Sequence, residues 1–155
     1  LISNFEGDMK ALLVLAGIVL LFVLMGMVWA KTASQPELGI HDGKLLPLPK
    51  KPNGVATQSG NTEQHMEPIP YSGDREAARQ KLLQILNQLP HTTLIKEDSE
   101  YIWIEFRSPF FGFPDDVEFS FEDSLIHFRA AARLGHSDMG VNYKRMENIK
   151  TLFQQ

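Results

Sequence analysis

Hydrophobic and polar positions divide the chain into three stretches of different character. Residues 11–30 form an apolar run of twenty side chains without a charge. Residues 31–70 show no apolar period and hold six of the nine prolines. From Tyr71 onward, apolar residues recur at helical and then at strand spacing. The pattern predicts an N-terminal tail at 1–10, a transmembrane anchor at 11–30, a proline-rich tether at 31–70 and an α+β domain at 71–155.

The apolar run from Ala11 to Ala30 has the length of a membrane-spanning helix. At 1.5 Å per residue it would extend about 30 Å, the thickness of the hydrocarbon core of a bilayer. Lys10 and Lys31 flank the run, and Trp29 lies where an interfacial aromatic residue is expected. A small domain could hardly cover a helix that is apolar on every side. We therefore predict that the lipid bilayer contacts the chain through Ala11 to Ala30.

A cleaved secretory signal is the alternative interpretation of this run. Val28 and Ala30 are small residues at the positions that a signal peptidase reads. The apolar region of a signal is usually about 7 to 15 residues long, which is shorter than this run. The length favours an uncleaved, single-pass anchor.

Basic residues give opposing indications of the orientation in the membrane. Four lysines lie between positions 31 and 51, and the positive-inside rule alone would keep them in the cytoplasm. Folded domains cross membranes largely regardless of such charges, and a start at Met9–Lys10 would lead with its own charge. We expect the domain to be periplasmic or otherwise extracytoplasmic.

The folded domain is predicted to begin with an amphipathic helix and to end with another. The stripe of the first helix consists of Ala78, Leu82, Ile85, Leu86 and Leu89. Asp74 is a suitable N-cap, and Pro90 cannot continue the helix. The last helix is predicted to start near Asn142 as its N-cap.

Four strand-like runs lie between these two helices. They start near Thr92, Glu100, Asp116 and Ile126, and the last three alternate between an apolar and a polar or mixed face. The predicted fold class is α+β. After the transmembrane helix we expect a two-layer domain of helix, four-stranded antiparallel meander and C-terminal helix, with both helices on one sheet face.

The apolar faces of the last two strands restrict how these strands pair. The apolar residues of both strands have to share one sheet face, so only alternate registers are allowed. An Asp123–Ser124 loop places Glu118 opposite Arg129, whereas a Glu122–Asp123 loop places Asp116 there. In either register, Arg129 lies beside a carboxylate.

Charges separate along the domain in a way that supports this pairing. Residues 97–123 hold nine acidic and one basic residue, whereas residues 124–155 hold five basic and two acidic residues. Ordinary cross-strand ion pairs, worth about 0.2 to 1 kcal/mol each, explain this pattern more simply than catalytic carboxylates do. The pattern predicts a polar centre around Asp116, Glu118, Arg129 and Arg133.

The loop Ser108–Asp115 is the second candidate site. It carries Phe110, Phe111 and Phe113 between two prolines and cannot form a regular strand. Three large apolar rings on a loop indicate a contact surface for a protein partner, a lipid or an apolar ligand. The alternative is that the rings fold back over the open end of the core.

Several function classes are excluded or disfavoured by residue type. The chain has no cysteine, which excludes disulfides, zinc–thiolate sites and thiol nucleophiles. Its five histidines lack metal-ligand spacing, and no glycine-rich nucleotide loop is present, so we predict no metal and no cofactor. The net charge of −4 argues against a nucleic-acid partner.

A hydrolase is the main competing hypothesis, with Ser137 acting beside Asp116, Glu118 and Arg129. No nucleophile-elbow motif surrounds Ser137, and its neighbour His136 would seldom face it. A carrier of a small apolar ligand is a third hypothesis, and it requires a cavity between the helices and the sheet.

Three segments resemble the family of domain of unknown function 1499. They are LGIHDGKLLPLPKKPNGVATQ at 38–58, FGFPDDVEF at 111–119 and FRAAARLGHSDMGVNYKRMENI at 128–149. Members are typically small bacterial proteins with relatives in plastids, often led by a signal or membrane segment, and their biochemical role is unassigned. The resemblance implies importance for Pro52, Asn53, Asp116, Glu118, Arg129, Arg133, Gly135, Ser137, Asp138, Gly140, Asn142 and Arg145. It thereby extends the predicted polar centre to Ser137, Asp138, Asn142 and Arg145.

This chain departs from the family at two positions. Many members carry cysteines where Leu48 and Gly54 stand here. A function that needs this thiol pair is therefore absent from this chain. Together, the residues and the resemblance indicate a membrane-anchored, extracytoplasmic α+β domain that acts as a non-enzymatic binding or accessory module.

Overall fold

The N-terminal segment forms one long helix. The computed structural model describes residues 2–155, with side chains from residue 7 onward, so Leu1 of the predicted tail lies outside the described residues. Helix α1, Ile2–Thr32, contains the predicted anchor and extends beyond it at both ends. Its segment Gly7–Thr32 is long and apolar enough to cross a membrane, with a mean hydropathy of 3.0 in its most apolar window. The side chains of that window are not buried by the rest of the protein.

An antiparallel sheet of six strands forms the centre of the fold. The described residues form eight strands. They are β1 Ile40–His41, β2 Lys44–Leu45, β3 Gly54–Ala56, β4 Ile69–Pro70, β5 Thr92–Glu97, β6 Tyr101–Arg107, β7 Pro114–Glu122 and β8 Leu125–Ala132. Of these, β3 to β8 belong to this sheet. The main sheet has the order β3-β8-β7-β6-β5, and β4 pairs with the other end of the outer side of β8. Strands β1 and β2 form a separate hairpin.

The α+β class and the β5–β8 meander are confirmed, but the sheet is larger than the four strands that were predicted. The additional strands β3 and β4 come from residues 31–70. They pair with β8, which would otherwise be a sheet edge with unpaired backbone groups. Val55 pairs with Ala130 in this register. A Cβ atom at Gly54 would lie 2.5 Å from the Ala130 carbonyl oxygen, so only glycine allows this close approach.

Two helices cover one face of the sheet, as predicted. Helix α2 spans Arg75–Gln88 and α3 spans Val141–Gln154. Their apolar stripes pack on the sheet, and the core includes Leu82, Leu86, Met146, Ile149, Ile102, Val117, Phe119 and Phe128. The Asp74 carboxylate accepts a hydrogen bond from Ala77 N at 3.1 Å, which confirms this N-cap.

The predicted N-cap of the last helix, Asn142, is wrong by two residues. Gly140 occupies that position with φ at 76°, a left-handed conformation that favours glycine. The Asp138 carboxylate accepts from Asn142 N at 2.9 Å and thus satisfies a free amide of the first turn. Asn142 itself is fully buried within that turn.

The β7–β8 hairpin adopts the first of the two predicted registers. Asp123 and Ser124 form the loop with φ values of 43° and 65°, as in a type I′ turn. Glu118 consequently lies opposite Arg129. The backbone twist of this turn matches that of the two strands, which favours a two-residue connection here.

The second face of the sheet is covered by residues 38–47, which we call the strap. Leu38 and Leu45 of the strap pack with Tyr101 and Trp103 in a small second core. Leu45 N also donates to the Gln58 side chain at 3.1 Å. The strap therefore buries the polar face of the meander beneath the chain that leads from α1.

Candidate functional site

The polar face of the meander carries a row of buried ion pairs beneath and beside the strap. Glu118 on β7 is fully buried and accepts hydrogen bonds at both oxygens. Tyr101 Oη donates to Oε1 at 2.7 Å, and Arg129 Nη1 donates to Oε2 at 3.2 Å. Arg129 Nε lies 3.5 Å from the Pro47 carbonyl oxygen of the strap. Glu118 and Arg129 thus connect the sheet to the strap.

Two residues along β7, Asp116 forms a second cluster on the same face. Arg133 binds its carboxylate through two nitrogens, at 2.7 and 2.6 Å. Trp103 Nε1 donates to the same carboxylate at 2.8 Å. Arg133 Nη2 also lies 2.7 Å from Glu105, so one guanidinium that is 5% exposed bridges two carboxylates.

A third cluster lies near the start of α3. Arg145 donates to Asp115 at 2.8 Å and also to the Asn142 side chain, and its guanidinium lies 4.5 Å from the centre of the Phe106 ring. Asp138 belongs to the same region, where its carboxylate accepts from Gly140 N and Asn142 N. The predicted polar centre is therefore divided into three neighbouring clusters.

Burial and pairing act in opposite directions on these charges. Burial raises the pKa of Glu118 above its ordinary value, although Tyr101 and Arg129 counteract this shift. Burial likewise raises the pKa of Asp115 against the attraction of Arg145. For Arg133 burial alone would lower the pKa, but its hydrogen bonds and attraction to Asp116 and Glu105 raise it.

The arrangement of these groups is that of a structural network. Both oxygens of Glu118 and of Asp116 accept hydrogen bonds from the protein, and both side chains are buried, so a substrate has no direct access to either carboxylate in this arrangement. Ser137 does not join them, because it lies exposed in the turn before α3 and its Oγ accepts from Met139 N. Within residues 7–155, no group of His, Asp and Glu side chains could hold a metal ion.

The loop 108–113 projects from the domain and contacts helix α1. Phe110 at its tip is 86% exposed. Phe111 and Phe113 stack on each other with ring centres 5.3 Å apart, and Phe113 meets Trp29 edge-on at 6.2 Å. A Cβ atom at Gly26 would lie 3.2 Å from the Phe111 ring. The alternative expectation was that the rings fold back over the open end of the core. None of the three is among the buried residues of the core, and Phe111 and Phe113 pack against α1.

A groove of about 570 Å³ lies beside this loop. Apolar side chains make most of its walls, among them Trp29, Phe113, Leu134 and Met139. The Asp115–Arg145 pair lies on the same wall as the end of β8. The groove is an open cleft at the end of the sheet, and it differs from the cavity between helices and sheet that an apolar-ligand carrier was predicted to need.

Several residues of these sites were missed by the sequence interpretation. Tyr101, Trp103 and Glu105 alternate on the polar face of β6, and the pairing of β6 with β7 aligns them with Ser120, Glu118 and Asp116. The alternation was visible in the sequence, but the hydrogen bonds of Tyr101 and Trp103 were not predicted. Leu134 and Met139 gave no signal, because only the folded chain brings them beside the aromatic loop.

A protein-family model matches most of this chain. The model of a family described as "Protein of unknown function (DUF1499)" matches residues 44–153. The matched segment contains the end of the strap, the whole sheet and nearly all of α3, and it leaves out α1. No curated protein matches the chain.

Proposed function

We propose that this chain, which belongs to the DUF1499 family of proteins of unknown function, is a membrane-anchored, extracytoplasmic and non-enzymatic binding module. In this role α1 holds the domain at the bilayer, and the loop 108–113 rests in the interfacial layer. The family match specifies no activity. The geometry of the described residues supports the binding role.

The contact between the loop 108–113 and α1 carries the proposal. Phe111 lies against Gly26, which precedes the end of the apolar run at Ala30 by four residues, or about 6 Å of helix. Apolar faces of interfacial segments enter the boundary between headgroups and acyl chains by about 5 to 10 Å. When the run spans a bilayer, Phe110 and Phe111 therefore lie at interfacial depth.

Exposed apolar side chains gather at this end of the domain. Trp29 is 54% exposed, Met139 is 89% exposed, and Val141 is 47% exposed. All three belong to the groove next to the loop. Aromatic residues such as Trp29 are enriched at membrane interfaces because one part of the ring is apolar and another is polar.

The internal pairing of the buried acidic side chains supports a binding role over catalysis. The acidic side chains of the polar face are paired beneath the strap, and Ser137 accepts a hydrogen bond from its own turn. The extracytoplasmic side rests on the charge argument from the sequence, in which a folded domain crosses the membrane despite the lysines that follow the anchor.

The proposal is tested with single-cysteine variants, since the natural chain has no cysteine. Phe110→Cys and, as a control on the edge strand β5, Leu94→Cys are labelled with a polarity-sensitive fluorophore in phosphatidylcholine vesicles. We expect a blue-shifted emission at position 110 and a water-like emission at position 94. Equal emission at both positions would contradict the interfacial loop.

Anchoring and orientation need separate measurements on the full chain in cells. We expect the protein to stay in the membrane fraction after alkaline carbonate extraction. Protease added outside the cytoplasmic membrane should digest the domain while leaving a cytoplasmic marker intact. Release into the soluble fraction would disprove the anchor. Protection of the domain from protease would show that it lies on the cytoplasmic side.

A further inference from the structure

We infer that the groove between α1, the loop 108–113 and the turn 134–141 is a binding site for one acyl chain of a bilayer lipid. This inference rests on the proposed membrane anchoring. It adds a ligand class and a site to that proposal, and it concerns residues that the interfacial loop does not need.

The chemistry of the walls selects a hydrocarbon ligand. The groove volume of about 570 Å³ falls within the range of about 300 to 1,000 Å³ typical of small-molecule sites. Leu89, Phe106, Phe113, Ala132 and Leu134 contribute apolar surface to its walls. Polar side chains such as His91, Ser108 and Asn148 also line the groove, but most of its wall surface is apolar, which favours a hydrocarbon over a polar ligand.

The charged groups of the groove are already paired or hydrogen-bonded within the protein. Arg145 is paired with Asp115 at 2.8 Å, and Arg107 is paired with Glu105 at 2.6 Å. The Asp138 carboxylate accepts two backbone amides at the start of α3. With its arginines engaged, the groove offers no free guanidinium to a phosphate headgroup, so the acyl chain is the part of a lipid that it fits.

The position of the groove identifies the bilayer as the source of this chain. Trp29 is both part of the apolar helix and part of the groove wall. Phe113, which packs edge-on against Trp29, also lines the groove. A lipid beside the last turn of the span can therefore place one acyl chain between these walls with little exposure to water. Occupancy would also cover Met139, the most exposed apolar residue of the rim.

Photo-crosslinking locates the chain. The full-length protein is reconstituted with phosphatidylcholine that carries a diazirine in the middle of one acyl chain, and the adducts are mapped by mass spectrometry. We expect adducts on residues 132–141 in addition to those on the span. Adducts confined to α1 and to the loop 108–113 would show contact with the bilayer only and would overturn the inference.

A matched pair of leucine variants tests the effect on binding. Leu134→Glu places a charge on the groove wall, whereas Leu94→Glu makes the same change on an exposed part of β5 that does not line the groove. We expect the yield of adducts on residues 132–141 to fall about tenfold or more in L134E, equivalent to a loss of about 1.4 kcal/mol or more. The yield should stay unchanged in L94E.

Further measurements keep the outcomes distinct. Vesicle flotation shows whether each variant remains in the membrane, and circular dichroism shows whether it is folded. If L134E floats, is folded and gives the wild-type adduct yield, the groove does not hold the chain although the anchor stands. If L134E is misfolded, Ala132→Phe, which fills the groove with an apolar ring, replaces it and should lower the yield in the same way. A wild-type protein that does not float disproves both the anchor and the acyl-chain site.

Discussion

At the scale of single residues, the buried charges of the sheet depend on donors from several strands. Glu118 accepts hydrogen bonds from the phenol of Tyr101 and the guanidinium of Arg129. Asp116 accepts from the indole of Trp103 and from two nitrogens of the Arg133 guanidinium. Removing one partner of such a buried pair typically costs about 3 to 5 kcal/mol, because it leaves an uncompensated charge. Because the desolvation of both charges offsets much of their attraction, the network adds little net stability. Its main effect is to fix the register of the meander and the position of the strap, since another arrangement would separate the partners.

The raised pKa of Asp115 leads to a prediction about pH. Burial shifts this pKa above its ordinary value of 3.8, so the folded chain binds more protons than the unfolded chain between the ordinary and the shifted value. Stability contributed by this group is therefore complete below the ordinary value and is lost as the pH rises through the shifted value.

Asp115→Asn removes this titration while keeping the size of the side chain. We expect the difference in free energy of unfolding, wild type minus D115N, to decrease as the pH rises from about 4 toward neutrality. Chemical unfolding of both full-length proteins in the same detergent, followed at several pH values, measures this difference. A difference that is constant or increases with pH would refute the shift.

At the scale of secondary-structure elements, the β7–β8 hairpin and the strap act together. The hairpin sets Glu118 opposite Arg129, and the strap then closes over this pair with Leu45 and the Pro47 carbonyl group. Strand β3 continues from the strap to pair with the outer side of β8. The segment before the predicted domain is thus packed as part of the sheet assembly.

The loop of this hairpin offers a stability prediction. Ser124 has a φ of 65°, a conformation that costs a non-glycine residue about 1 to 2 kcal/mol. Ser124→Gly should relieve this strain and lose about 0.5 to 1 kcal/mol through the greater freedom of the unfolded chain. The expected result is a gain of up to about 1.5 kcal/mol in the free energy of unfolding, with a central value of about 0.8 kcal/mol.

Ser99→Gly is the matched control for this prediction. Ser99 lies in the β5–β6 turn and is not among the residues with positive φ. The same substitution there relieves no left-handed strain and should give no gain. If denaturant unfolding shows equal changes for both variants, the left-handed conformation of Ser124 is not the cause.

At the scale of the whole molecule, the domain rests directly on the end of its long apolar helix. Val23 and Gly26 are partly covered and Ala30 is buried, and their spacing of three and four residues places them on one helical face. Gly26 allows the Phe111 ring to approach that face. The aromatic loop and the groove are therefore held at a fixed position along the apolar helix.

Crosslinking of paired cysteines tests this arrangement in membranes. Gly26→Cys combined with Phe111→Cys should be bridged rapidly by a short bis-maleimide reagent. Val28→Cys combined with Phe111→Cys is the control, since Val28 is exposed and lies about 200° around the helix from Gly26. We expect bridging to be at least several-fold slower in the control. Equal rates in both pairs would mean that α1 does not hold this face against the loop.

Much of the fold follows from local patterns in the sequence. The length of the apolar run determined a helix able to span a membrane, and the periods of 3.6 and 2 residues determined α2, α3 and the strands β5–β8. Alternation also limited the partner of Arg129 to Glu118 or Asp116, because a slip by one residue would turn the apolar side chains to the opposite face. Asp74 as an N-cap was predictable because capping is a local interaction.

Other features were decided only by the tertiary structure, because they join residues that are distant in the chain. The turn geometry at Asp123 and Ser124 selected Glu118 from the two partners. Strands β3 and β4 and the strap lack a period of their own, since their hydrogen bonds and apolar contacts come from β8 and from the aromatic residues of β6. The groove likewise exists only where α1, the aromatic loop and the turn before α3 meet, and no local pattern encodes such a meeting.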